Sequence, residues 1–421
     1  MSALIDLAVL PLIALAANGD APPPLEATEG ADAPQPAESP ADSGFPGSIG
    51  YEDGFFLRSE SGSSELVFGG LFQFQGRIQP RRDVWNEFFL KRARPEVSGT
   101  FDDIYHFRIQ TNFDENGSNL EEAWGGIDVG SEGQRRMIIG RKRAPFGLEE
   151  AQSRRWIAFN ENSILNQFSP REQHGVFYYH EDEEMSYGLG LYNGTGGDEA
   201  DSGKELGARL TTGLGDANVD GDLNVGGSFT IGDEDRSVAG RPILNESGLP
   251  FAFYNAGARN DGLQWRFGLE ALYLNGPMML MAEYQHHRTD MEGAGGSANI
   301  DTSGFHVTAQ QALTGEDMTF NGVKPKNPYL PSDDTANGAW IAALRLSWLD
   351  LDSSLADTGI VAGPSYTSNV ASLSMGLNWV LTNHVMVRNS FIYSHYAGKV
   401  LIDGDQESGE SALVIEFQVQ F

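Results

Sequence analysis

Apolar residues in this chain recur at every second position, in stretch after stretch, and no other feature limits the fold so tightly. Between 66 and 79, Leu66, Phe68, Phe72, Phe74 and Ile78 share one parity, while Gln73, Gln75, Arg77 and Gln79 share the other. Side chains two apart on a strand lie on one face, so each such strand is greasy on one side and polar on the other. Near 87–101, Phe89, Ala93, Val97 and Phe101 oppose Arg92, Arg94, Glu96 and Ser98. In 103–114, Tyr105, Phe107, Ile109 and Phe113 oppose His106, Arg108, Gln110 and Asn112. The pattern runs to the end, where Leu413, Ile415, Phe417, Val419 and Phe421 oppose Glu416, Gln418 and Gln420.

Sixteen strands of this kind are predicted, near 64–79, 87–101, 103–114, 120–129, 134–143, 173–181, 184–193, 204–213, 222–232, 262–274, 277–288, 303–314, 338–351, 370–381, 384–396 and 409–421. At about ten residues each they have the length that a tilted strand needs to cross a bilayer. A soluble β-sandwich would hide the greasy face and leave the polar face in water. Here the reading is an all-β fold, a transmembrane antiparallel β-barrel whose greasy face meets lipid. Mean hydropathy is only −0.33 and hydrophobic residues make up 40%, as befits strands of which every second residue faces lipid.

The connections support this reading. Tight links are predicted at Asp102, Asp182-Glu183, Asn275-Gly276 and Thr382-Asn383. Those on the other side are longer, at 144–172, 233–261, 289–302, 352–369 and 397–408. Short periplasmic turns that alternate with long outer loops are the asymmetry of outer-membrane barrels. The connection 315–337 breaks the rule: it belongs on the short side, yet is long and proline-rich.

Ahead of the barrel, Leu7 to Ala17 is a short apolar run and Ala14-Leu15-Ala16 fits a small-x-small cleavage pattern, so 1–17 reads as an export signal, although Asp6 replaces the usual basic residues. Residues 18–63 read as a disordered periplasmic tether, rich in Pro, Ala and Glu over Asn18 to Gly50. The barrel domain is expected over 64–421.

The third outer connection stands apart. It leaves the strand-like run Met137-Ile138-Ile139-Gly140 through Arg141, Lys142 and Arg143, is broken by Pro145, and runs over twenty residues before Gln173. Long connections without regular structure are usually functional or disordered. This one combines Arg154, Arg155 and Arg171 with Trp156, Ile157, Phe159, Ile164, Leu165 and Phe168. Such a mixture can pack against a wall and line a wet space, so the loop is expected to fold into the barrel as its constriction.

Several stretches resemble the phosphate-selective porin O and P family of outer-membrane proteins. They are Phe89-Leu90-Lys91-Arg92-Ala93-Arg94 followed by Gly99, the run from Gly140 to Glu149, and Phe168-Ser169-Pro170-Arg171-Glu172. Further matches are Gln310 to Glu316, and Gly338-Ala339-Trp340 through Leu351. The resemblance implies a sixteen-stranded porin, a trimer, an inward third outer loop, and basic lumen residues that pass phosphate-like anions. The final aromatic, Phe421, resembles the signal read by the barrel assembly machinery of the outer membrane.

Parity places Arg77, Arg92, Arg94 and Arg108 on the polar face, and a cation turned to lipid would cost about 2–4 kcal/mol near the midplane. Lys91, Arg141, Lys142 and Arg143 join them as candidate pore-lining residues, the last three with parity unresolved between Ile138 and Ile139. Basic residues concentrate here: 71–175 holds fifteen Lys and Arg against fifteen acids, and 176–421 twelve against thirty-three. An ion in the lumen responds to charges within about 8 Å, so this local balance matters more than the net charge of −31. The same net charge argues against nucleic-acid partners. Two other readings stay open: arginines that only brace the wall through acids such as Glu96, giving a non-selective or cation-preferring porin, and an occluded barrel that serves as a cell-wall anchor.

Nothing in the sequence calls for a cofactor, a metal or catalysis. Asp216, Asn218 and Asp220 begin like a calcium loop, but Gly227 stands where a bidentate glutamate belongs. Adjacent His286 and His287 point to opposite faces of a strand. No nucleophile elbow, P-loop or zinc helix occurs. The partners expected are outer-membrane lipids, sister subunits, and small anions as solutes.

Overall fold

The structure is a computed structural model. It describes residues 47–421 apart from 83–85, 116, 131–132, 183, 195–202, 215–220, 334 and 364–365. The export signal, most of the tether and the calcium-like turn at 215–220 lie outside the described residues.

Among the described residues there are twenty strands. They are β1 (Gly47–Tyr51), β2 (Phe55–Ser59), β3 (Glu65–Ile78), β4 (Glu87–Phe101), β5 (Tyr105–Asp114), β6 (Gly117–Asp128), β7 (Arg135–Arg143), β8 (Glu172–Glu181), β9 (Met185–Tyr192) and β10 (Glu205–Gly213). There follow β11 (Asp222–Ser237), β12 (Pro242–Leu244), β13 (Pro250–Phe253), β14 (Arg259–Asn275), β15 (Met278–Gly293), β16 (Gly296–Ala312), β17 (Ala339–Leu351), β18 (Asn369–Val380), β19 (Val385–Ile402) and β20 (Asp405–Gln420). Strands β3–β11 and β14–β20 pair antiparallel in chain order, and β20 returns to β3 through Leu413↔Ile78 to Gln420↔Leu71. The result is a closed barrel of sixteen strands, with no unpaired edge in the wall. Among the described residues two single-turn α-helices, α1 (Leu148–Ala151) and α2 (Ser354–Asp357), lie in connections.

Alternation is realised as inside and outside. Phe72, Phe74, Ile78, Ile109, Phe113, Leu269, Leu344, Leu346 and Phe417 are exposed, while Gln73, Gln75, Arg77, Gln110, Asn112, Glu270, Arg345, Glu416 and Gln418 are buried. In β4 the parity breaks at a bulge. Between β3 and β4 the register slips, Gln73 facing Arg92 and Phe74 facing Leu90, so Lys91 is an extra residue in β4. Such a bulge turns two successive side chains to one face. Lys91 and Arg92 consequently both reach the loop, and Phe89 faces inward beneath the Arg77 guanidinium at 4.9 Å, instead of lying on the greasy face.

Outer strands are longer than predicted. The links 289–302 and 397–408, expected as loops, are mostly strand: β15 meets β16 around Ala294-Gly295, and β19 meets β20 around Asp403-Gly404. The second turn has φ 47° at Asp403 and 95° at Gly404, the conformation that favours Asp-Gly in two-residue hairpins. On the tether side, the part from Gly47 forms β1 and β2. This hairpin pairs with β3 at Phe55↔Phe68 to Arg58↔Glu65, just beyond the place where β20 ends.

Candidate functional site: the loop and the cavity beside it

The loop between β7 and β8 holds itself together before it touches anything else. The backbone N–H and hydroxyl of Ser163 both donate to the Glu149 carboxylate, at 2.7 and 2.6 Å, fastening the end of the loop to α1. Ala144 N–H donates to the Arg171 carbonyl at 2.9 Å and closes the neck. Arg171 itself sits at φ 57°, a conformation that costs a non-glycine residue something and marks a constrained turn.

Its bonds to the wall go to inward-facing residues, while Ile164 N–H and Gln167 donate to Glu246 and to the Leu244 carbonyl of the connection 238–258. Asn378 of β18 donates to the Ala158 carbonyl at 2.8 Å. Arg388 of β19 and Gln418 of β20 donate to the Arg155 carbonyl at 3.2 and 3.1 Å, and Gln73 of β3 to that of Arg154 at 3.3 Å. Arg266 of β14 donates to the Phe168 carbonyl at 2.9 Å. Arg345 of β17 does most. It meets Glu149 at 3.1 Å, donates to the Glu161 carbonyl at 2.9 Å, and lies 4.5 Å over the Phe159 ring. Gly304 on β16 leaves room where Leu165 presses on the wall, and any side chain there would collide with it.

Two apolar clusters hold the loop from either end. On the outer side Ile164 and Leu165 pack with Val238, Ile243, Phe251, Leu355, Ile360 and Tyr396, drawn largely from the connections 238–258 and 352–368, with Phe168 against them. On the periplasmic side Leu148 and Trp156 pack with Leu272, Met279, Met318, Phe320 and Val323. The last three belong to the connection 313–338, which therefore turns up toward the loop. Gln152 donates to the Phe320 carbonyl at 2.9 Å, and Gly322, at φ 83°, lies against the Trp156 ring. This accounts for a connection too long for a turn.

Most of the basic candidates are partnered. Lys91 and Arg92 both clasp Glu161, Arg92 at 3.2 Å. Arg94 meets Glu121 at 3.0 Å and Arg108 meets Glu96 at 2.8 Å. Arg141 turns aside to the Leu120 carbonyl at 2.8 Å. Arg143 folds under the loop to Glu172 at 3.2 Å and to the Glu150 and Gln152 carbonyls. Arg154 meets Glu150 at 3.0 Å, and Arg155 lies 3.9 Å from Glu96. Lys142 differs. Its ammonium stands 5.2 Å from the centre of the Trp124 ring and 5.3 Å from that of Tyr179, and it forms no ion pair among the described residues. Burial works against the charge of Glu161, but Lys91 and Arg92 outweigh it and hold its carboxyl well below the usual range.

Beside the loop lies a cavity of about 680 Å³, bounded by β3–β11 and β14. Seven basic residues line it, Arg94, Arg108, Lys142, Arg143, Arg154, Arg155 and Arg209, against the four acids Glu122, Glu150, Glu181 and Glu270. A second cavity of about 560 Å³ shares Arg155 and Asn321 with the first and adds Lys324, Lys326, Glu316, Asp317 and Asp53. Sequence reading did not single out Arg209, which pairs with Glu270 at 2.5 Å, or the buried pair Arg388–Glu416. Both arginines occupy polar-face positions, so the alternation itself could have found them. His287 faces inward 6.4 Å from Phe168, while His286 lies against Trp265; no group of three or more metal-binding side chains occurs among the described residues.

The model of the family described as phosphate-selective porin O and P matches residues 79–421. No curated protein matches the chain. Among solved structures, the anion-selective porin from Comamonas acidovorans is similar at TM-score 0.53 and 11% identity, over 85% of this chain and 100% of that one. OmpT of Vibrio cholerae, in-vitro folded, is similar at TM-score 0.52 and 13% identity over 85% and 98%, and its trimer form at 0.53 and 13% over 85% and 100%. At these identities the likeness is one of fold.

Proposed function

Because the chain belongs to the phosphate-selective porin O and P family and is an outer-membrane porin, we propose that its water-filled path runs beside the loop 144–171 and favours small anions. Lys142, the one lining cation without an ion pair among the described residues, carries this reading. A charged wall sets which ions find entry favourable, and at physiological salt only charges within about 8 Å weigh on the passing ion. The loop is then the constriction. Carbonyls between Arg154 and Phe168 are tied to β3, β14 and β17–β20, leaving the passage to the opposite wall, β5–β11. The same reading takes 1–17 as the export signal, the stretch from 18 as a periplasmic lead-in, and the working form as a trimer.

One observation favours a second reading. Arg92, Arg94 and Arg108 are all ion-paired, as bracing without selectivity requires. The two readings part at Lys142. Purified protein in planar bilayers under a potassium chloride gradient should give a reversal potential of anion sign, and Lys142→Glu should move it toward the cation side. A wild type of cation sign, or one unmoved by Lys142→Glu, would leave only the bracing role.

A further inference from the structure

We propose that the cavity beside the loop selects organic monoanions that carry an apolar body, a single-ring or short-chain carboxylate, above inorganic phosphate. This deepens the anion-channel reading and rests on it. Six of the seven basic groups that line the cavity already spend their charge on protein carboxylates: Arg94 on Glu121, Arg108 and Arg155 on Glu96, Arg143 on Glu172, Arg154 on Glu150 and Arg209 on Glu270. A multiply charged oxyanion needs several free paired donors to replace its water. Lys142 alone offers one strong point charge. That matches one carboxylate, and the rings of Trp124 and Tyr179 stand 5.2 and 5.3 Å from the ammonium.

The rest of the lining is unusual for an aqueous path. Leu71 of β3, Leu272 and Leu274 of β14, Leu148 of the loop and Phe320 of the periplasmic connection all face this cavity, along with Pro145 and Phe146. Leu71 and Leu272 occupy positions where alternation elsewhere sets glutamine, arginine or glutamate, as in Gln73 and Glu270 on the same strands. Apolar side chains that line a channel resist its filling with water, and a solute that covers them releases that water. A solute with a charged head near Lys142 and an apolar body toward Leu272, Leu274 and Phe320 meets both halves of the lining. A volume of about 680 Å³ is within the range of small-molecule sites, roughly 300–1,000 Å³, and ample for a single ring. The long connection 313–338 gains a purpose here: it carries Phe320 to the cavity from the periplasmic end.

Single channels of the full chain in planar bilayers test this, with chloride as carrier and benzoate, acetate or phosphate added. Benzoate should interrupt the chloride current at a concentration about tenfold or more below acetate and phosphate. Leu274→Ser with Phe320→Ser should bring benzoate to within about twofold of acetate. Benzoate no better than acetate in the wild type, or as good as before in the double variant, would overturn the proposal. A wild-type reversal potential of cation sign would instead sink the anion-channel reading beneath it. An anion-selective pore indifferent to the ring would sink this inference alone.

Discussion

Lys91 shows how a single residue can outrun a pattern. Parity sends it to lipid, yet the extra residue in β4 turns it inward, beside Arg92, onto Glu161. A carboxylate between two cations in a partly enclosed space keeps its charge to low pH. The folded-state value of Glu161 lies below its ordinary 4.5, so the clamp contributes fully above that value and is lost only as pH falls through the depressed one. Single-channel conductance should therefore stay constant from about pH 8 to about pH 5 as far as this clamp governs it, and rise only in stronger acid. Glu161→Gln should loosen the loop at every pH, seen as noisier current. Equal noise in the two proteins at neutral pH would show that the clamp does not hold the loop. Inward and outward faces of β3, β5, β17, β18 and β20 were readable because period two survives any sequence noise. Bulges at Lys91 and at Glu121, opposite Gln110 and Thr111, were not, since one inserted residue leaves no local signature that differs from ordinary variation.

Elements carry the next level of meaning. Two connections that enter the interior come from opposite ends and meet: Trp156 of the outer loop rests on Gly322 of the connection 313–338. Deleting 152–166 should raise single-channel conductance by about twofold or more, because the carbonyls that bridge to β18, β19 and β20 go with it. Replacing 316–336 by a short turn should raise it by less, as the outer clamp on Arg345 remains. If the first deletion leaves conductance unchanged, the loop is not the constriction. Composition marked the outer loop in advance, since it combines Arg154, Arg155 and Arg171 with Trp156, Phe159 and Phe168. The inner turn of 313–338 was hidden: Met318, Phe320 and Val323 are too widely spaced to form a period. The lengths of β15, β16, β19 and β20 were also underread, because beyond the bilayer a strand no longer needs a greasy face. Asp403-Gly404 was the one signal that could have corrected them.

At the scale of the whole molecule, sixteen is an even number, and both ends of the described barrel, Gly47 and Phe421, fall on one side. Residues 47–59 and Phe421 are on the side of the short turns at Asp102–Ile104 and Gly276-Pro277, and the connections 238–258 and 352–368 are on the other. An epitope placed within 238–258 should be labelled on intact cells, and one placed before Gly47 should be reached only after the outer membrane is broken. Labelling of the second on unbroken cells would contradict the topology. The strand count was legible because each strand repeats one rule, whereas the crossing interior, built from single contacts such as Arg345 to Glu149, follows no repeat at all.

The seam has a consequence in time. Strand β3 pairs with β4 on one side and finds its second wall partner only in β20, and Gln73 bonds Gln418 across 345 residues of chain. Inside a bilayer a bare strand edge leaves each backbone group without a partner, at several kcal/mol apiece. A growing chain that had made fifteen strands would carry two such edges. Unassisted insertion strand by strand is therefore costly until β20 (Asp405–Gln420) exists, and an unfinished barrel needs something else along its two edges until that strand closes the ring.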